Sequence, residues 1–102
     1  MATHVVVVKV TADPIPASEI QAALPLGRFE LCYREGTLSL PKLPTGEAKL
    51  HLTMTPTAIE ASFQGPGELS NTVGSCISHA AGTMNVTINA PATADVELQF
   101  KE

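Results

Sequence analysis

The sequence predicts an α+β fold, a two-layer sandwich in β-α-β-β-α-β order with a mainly antiparallel sheet and both helices on one face. Three observations predict it. Four runs have the β-branched or alternating character of strands, and two segments between them repeat apolar residues at helical spacing. Three of the four strands also alternate apolar with polar residues, which leaves one sheet face for water and the other for helices. A length of 102 residues and 44% apolar composition supply one core, so residues 1–102 are read as one domain.

Residues 4–11, HVVVVKVT, are β-branched almost throughout, and the unbroken valines predict a strand buried on both faces. Asp13, Pro14 and Pro16 end it. Ser18 is the expected N-cap of the first helix, with Gln21 three residues later completing a capping box. Ile20, Ala23 and Leu24 follow at helical spacing, and beyond Pro25 the pattern resumes with Leu26, Phe29, Cys32 and Tyr33. An interior proline removes a backbone bond, so a kink or a fresh helix with Pro25 in its first turn is expected. Gly36 is the stop, and residues 37–46, with Pro41, Pro44 and Gly46, read as a loop.

Ala48, Leu50, Leu52 and Met54 alternate with Lys49, His51, Thr53 and Thr55, while Ile59, Ala61 and Phe63 alternate with Glu60, Ser62 and Gln64. With only Pro56 and Thr57 to join them, the two runs predict an antiparallel hairpin. After Gly65, Pro66 and Gly67, a second helix places Leu69, Val73, Cys76, Ile77 and Ala80 on one stripe, with Gly82 as its cap. The last run sets Val96, Leu98 and Phe100 against Asp95, Glu97, Gln99 and Lys101, so the domain closes on a strand.

The charge balance excludes some partners. A net charge of -4 and six scattered Lys and Arg residues disfavour nucleic acid and anionic membrane surfaces, which both need basic clusters. No apolar run approaches the roughly 18 residues of a membrane span, and Met1 does not lead into a signal-peptide pattern. A soluble chain is expected, a piece of a longer exported or anchored protein included.

Cys32 lies near the end of the first helix and Cys76 in the stripe of the second, so both are expected to face the space between helices and sheet and to form a disulfide. Closing a loop of about 45 residues stabilises a fold by roughly 4 kcal/mol on the chain-entropy model. It also implies an oxidising compartment. The alternatives are two reduced core thiols, a metal held by Cys76, His79, Cys32 and His51, or a cysteine nucleophile at Cys76 beside His79. No CxxC pair supports the metal and no acidic orienter or oxyanion-hole motif accompanies His79, so no metal, cofactor or catalytic residue is expected. The glycines of FQGPGEL read as a turn, because no Lys-Ser/Thr pair follows and Glu68 repels phosphate. Asn85, Val86 and Thr87 spell a glycosylation sequon that matters only in a eukaryotic secretory pathway.

Three blocks carry a family resemblance: FELCYRE at residues 29–35, GEAKLHLTMTPTAIEASFQGPGEL at residues 46–69, and VGSCI at residues 73–77 ahead of the closing ADVELQF. In order and spacing, over about 85 residues from Ala17 onward, the chain resembles the TonB C-terminal-like domains, most closely the AgmX/PglI type of bacterial envelope and motility proteins. The resemblance implies a periplasmic or envelope-associated domain that binds a protein partner, or itself as a homodimer, by pairing a sheet edge with an extended strand. It places that edge on the closing strand, at Val96, Glu97, Leu98, Gln99 and Phe100. The valine strand, Val5 to Val10, is the competitor for the same place. A non-enzymatic interaction domain is therefore the first reading, and a small cysteine- or metal-dependent enzyme using Cys76 and His79 is the second.

Overall fold

The fold is described from a computed structural model covering residues 3–102. Its elements are β1 (His4–Asp13), α1 (Ala17–Ala23), α2 (Leu26–Gly36), β2 (Gly46–Thr55), β3 (Ala58–Gln64), α3 (Gly67–Gly82) and β4 (Ala92–Lys101). The four strands make one antiparallel sheet in the order β1-β4-β2-β3, and the helices pack against one face of it. This is the expected two-layer α+β sandwich.

The alternation read in the sequence sets the two faces. Ala48, Leu50, Leu52 and Met54 of β2 and Ala92, Ala94, Val96, Leu98 and Phe100 of β4 are buried beneath the helices. The intervening side chains form an open polar face on which Lys9, Glu97 and Lys49 share one cross-strand row. Opposite charges in adjacent strands contribute about 0.2–1 kcal/mol per pair, enough to favour this register without deciding it. Burial of the apolar face decides it, because a slip by one residue would turn every apolar side chain to water.

Two local expectations are corrected. β1 is not buried on both faces: Val5 alone of its valines is buried, and Val8 is 54% exposed. The reason is a bulge. Val7 pairs with Leu98 and Lys9 with Glu97, so Val8 is an extra residue that shifts the phase of alternation. Val5 and Val7 face inward before it, and Val10 and Ala12 after it, while Lys9 stays on the polar face. The capping box at Ser18 does not form either. Pro16 is the N-cap and the helix already begins at Ala17, which places Ser18 inside the first turn. The first predicted helix becomes two, because Leu24 precedes Pro25 and takes an extended conformation, and α2 starts afresh with the Phe29 N-H donating to the Pro25 carbonyl.

Tyr33, Phe100 and Phe63 link the layers. The Tyr33 and Phe100 rings meet edge to face at 5.1 Å, and Phe63 packs on the other side of Phe100 at 5.9 Å. The fully buried Tyr33 hydroxyl donates to the Pro44 carbonyl and so ties the loop after α2 to the core. Thr37, buried at the end of α2, donates its hydroxyl to the Tyr33 carbonyl at 2.6 Å.

Burial pushes the Tyr33 phenol above its ordinary value, and the negative charge of Glu102 adds to the rise. A pKa raised in the folded state gives stability that is complete below the unfolded value, about pH 10, and is lost as pH rises through the folded one. Tyr33→Phe is expected to lower stability by about 1–3 kcal/mol at pH 7, where the Pro44 carbonyl loses its partner. It should also flatten the loss of stability above about pH 10. Urea unfolding of both proteins at neutral and alkaline pH measures both effects.

Candidate functional site

Three places carry the chemistry singled out in the sequence: the seam between α2 and α3, the open face of the sheet, and the sheet edges.

At the seam, α2 and α3 run antiparallel and touch once per turn. The Arg28 guanidinium donates to the Thr83 hydroxyl at 3.2 Å, Cys32 is bonded to Cys76, and Gly36 meets the backbone of Thr72. The disulfide joins residues 44 apart in sequence across a Cα separation of 5.7 Å, and no cysteine is free. Gly36 permits the approach, since a Cβ there would lie 2.5 Å from the Thr72 carbonyl oxygen. The bridge sits differently from the expectation. Cys32 is buried but Cys76 is exposed, because Cys76 lies on the shoulder of the α3 stripe that faces α2 and not on the side that faces the sheet.

Beside the bridge runs a groove of about 590 Å³, with Leu31 exposed at 43% and Arg28, Glu35 and His79 around it. While the bridge stands, Cys76 has no thiolate to act as nucleophile or ligand, so the pairing of Cys76 with His79 has no reactive group in this state. Among the described residues, no three His, Cys, Asp or Glu side chains stand close enough to hold a metal ion.

On the open face, one constellation escaped the sequence reading. Asp95, His51 and Ser62 lie side by side in one row across β4, β2 and β3, and His51 Nδ1 is 2.8 Å from an Asp95 carboxylate oxygen. The order is that of a Ser-His-Asp triad. The surroundings are not those of one. No hydrogen bond joins Ser62 to His51 among the described residues, and His51 and Asp95 are both more than two-fifths exposed. Backbone N-H groups of a sheet lie in its plane, bonded along the ladders, so none points up from this face to stabilise an oxyanion. The row is a solvated cross-strand cluster, and only the pairing of β2 with β4 could have revealed it.

The edges overturn one expectation. Val96, Glu97, Leu98, Gln99 and Phe100 do not form an edge, since β4 is paired with β1 on one side and β2 on the other. The valine strand occupies the place that the resemblance reserved for a partner. No family model, curated protein or solved structure matches the chain. The free edges of the sheet are β1 and β3.

These two edges differ. The two-residue turn at Pro56 and Thr57 closes on the Thr55 and Ala58 pair, so alternation turns the N-H and C=O groups of Ile59, Ala61 and Phe63 away from β2. Carried across the sheet, the same alternation turns the Val5 N-H outward, and it donates to the Glu30 carboxylate at 3.4 Å. β1 is therefore blunted three times, by the Glu30 contact, the bulge at Val8 and the charge of Lys9. β3 has no bulge, lysine or proline, and among the described residues no hydrogen bond reaches the outward groups of Ile59, Ala61 or Phe63, although α3 lies close above, where a Cβ at Gly82 would stand 3.5 Å from the Ile59 carbonyl oxygen.

Replacing Cys32 and Cys76 together by alanine is expected to lower stability by about 4 kcal/mol, the loop-closure value, and Gly36→Ala by about 1–3 kcal/mol through overpacking at Thr72. Denaturant unfolding of the three proteins is the check. Equal stability of the cysteine-free variant and the parent would show that the seam holds without its bridge.

Proposed function

We propose that this chain is a non-enzymatic protein-protein interaction domain that binds an extended segment by adding it to the sheet at β3. The observation that carries the reading is the unblunted β3 edge of the four-stranded antiparallel sheet. An added strand would bond to the outward N-H and C=O groups of Ile59, Ala61 and Phe63, and its alternate side chains would fall on either face. Those on the inner face would meet Ile59, Ala61 and Phe63, which the fold leaves half-buried. Those on the open face would meet Glu60, which favours a basic residue.

The disulfide supports an oxidising compartment such as the bacterial periplasm, in line with an envelope role. The TonB-like relationship rests on the sequence blocks alone. The strand-pairing mode stands without it, although the receiving strand is now β3 and not β4.

The probe is a capped seven-residue peptide alternating lysine and valine, whose valines suit the inner face and whose lysines suit Glu60. Titrated to millimolar concentration into the native, disulfide-bonded protein, it should shift the amide resonances of Ile59, Ala61 and Phe63 and slow their hydrogen exchange. Ala61→Pro, which removes an outward donor without touching the β2 ladder, should abolish the response, whereas Val10→Pro on β1 should leave it intact. No response at β3, or one that Val10→Pro removes and Ala61→Pro does not, would overturn the assignment.

A further inference from the structure

The β3 edge is complementary to itself, and we infer that the extended segment it takes is β3 of a second copy of this chain, paired antiparallel about a two-fold axis at Ala61. The inference rests on the β3 reading above and names its partner. Three features of the strand carry it.

The first is backbone register. Two-fold pairing places residue 59 opposite 63 of the other copy and Ala61 opposite itself, so the outward-facing residues meet only outward-facing residues. Every N-H and C=O that β3 leaves open at Ile59, Ala61 and Phe63 then finds a partner. An axis at Glu60 would keep outward residues opposite one another but set that carboxylate against its own copy, and one at Ser62 would carry Ile59 past the strand to Gly65.

The second is side-chain chemistry. The register at Ala61 brings Ile59 of each copy beside Phe63 of the other on the inner face, completing the burial of two half-buried apolar residues, with the small Ala61 at the axis. On the open face, Glu60, the only charged residue of β3, falls opposite Ser62 and not opposite its own copy. A strand with one acidic residue avoids like-charge pairing only when that residue lies off the axis.

The third is the helix above the edge. Ser70, Gly74 and Ser78 recur every four residues along α3, and Gly74 looks onto the Phe63 ring, where a Cβ would lie 3.2 Å from it. Gly74 is itself buried against that ring, so the small residues let α3 lie close over its own β3 and keep large side chains off the inner face of the strand. The product is one continuous eight-stranded sheet, β1-β4-β2-β3 followed by its two-fold copy, in which the unblunted edges are consumed and only the two blunted β1 edges remain.

Sedimentation velocity of the native protein from micromolar to millimolar concentration tests this. The expected result is a reversible monomer-dimer equilibrium that the lysine-valine peptide shifts toward monomer. Ser62→Glu creates two like-charge pairs with Glu60 across the axis and should weaken the dimer roughly fivefold, while Ser62→Lys should strengthen it by a similar factor, both less so in high salt. These substitutions sit on the solvated face, so both variants should fold, and Ala61→Pro should leave monomer only. A dimer indifferent to all three substitutions would overturn the inference. A protein that stays monomeric while the peptide still engages Ile59, Ala61 and Phe63 would overturn the second copy as partner and leave the β3 reading standing. Monomer with no peptide response would remove both.

Discussion

The insertion of β4 between β1 and β2 governs this structure. The last strand in the chain is the only one with a neighbour on both sides besides β2, and its inward residues, from Ala92 through Phe100, are all buried. The first strand reaches the sheet solely through it, so the β1 and β4 ladder joins residues as distant as His4 and Lys101. The hairpin of β2 and β3 is local. The two together form a sheet whose centre is built from long-range contacts and whose β3 edge is built from short-range ones.

The helical layer answers this with its own cross-links. α1 and α2 sit between β1 and β2 in sequence, and α3 between β3 and β4, so the α2-α3 seam connects the two halves of the chain on the side away from water's open face. Gly36 sets how near the helices come, the disulfide fixes their relative position at mid-seam, and Arg28 with Thr83 closes the far end. Tyr33, one residue beyond Cys32, then carries the constraint downward, onto Phe100 of β4 and through its hydroxyl onto Pro44. A rigid scaffold behind the sheet lowers the entropy lost when an edge strand takes a partner, because the receiving groups are already held in line.

Much of this was legible in the sequence. Period-2 alternation in β2, β3 and β4, the α3 stripe and the break at Pro25 follow from local patterns that the packing respects, and with two cysteines a bridge has one possible pairing. Strand order was not legible. The alternation of Val96, Leu98 and Phe100 reads the same in a central strand and in an edge strand with one covered face, so the chain's own text could not place β4. For β1 the sequence does carry a signal: Lys9 and Thr11 fall where regular alternation from Val5 and Val7 would point inward, and such a change of phase marks a bulge, not burial on both faces. The position of Cys76 turned on one helical step, since a residue three after Val73 lies off the stripe's centre and reaches the neighbouring helix instead of the sheet. His51 and Asp95 are 44 residues apart and meet only through the β2-β4 register, which no local pattern encodes.

The two edges of the sheet differ, and the proposed function rests on that asymmetry. An exposed strand edge invites pairing with any extended chain, and β1 carries the devices that discourage it: a bulge that breaks the ladder, a lysine, and a carboxylate from α2 occupying an outward N-H. Were β3 merely tolerated as an edge, similar devices would be expected on it. Instead it keeps regular pairing along its length and inward residues that the core only half covers. Both features are neutral or unfavourable for an isolated domain, and both become favourable once a strand is added. On the proposed reading, the sheet that protects itself at β1 is completed at β3 by one added strand.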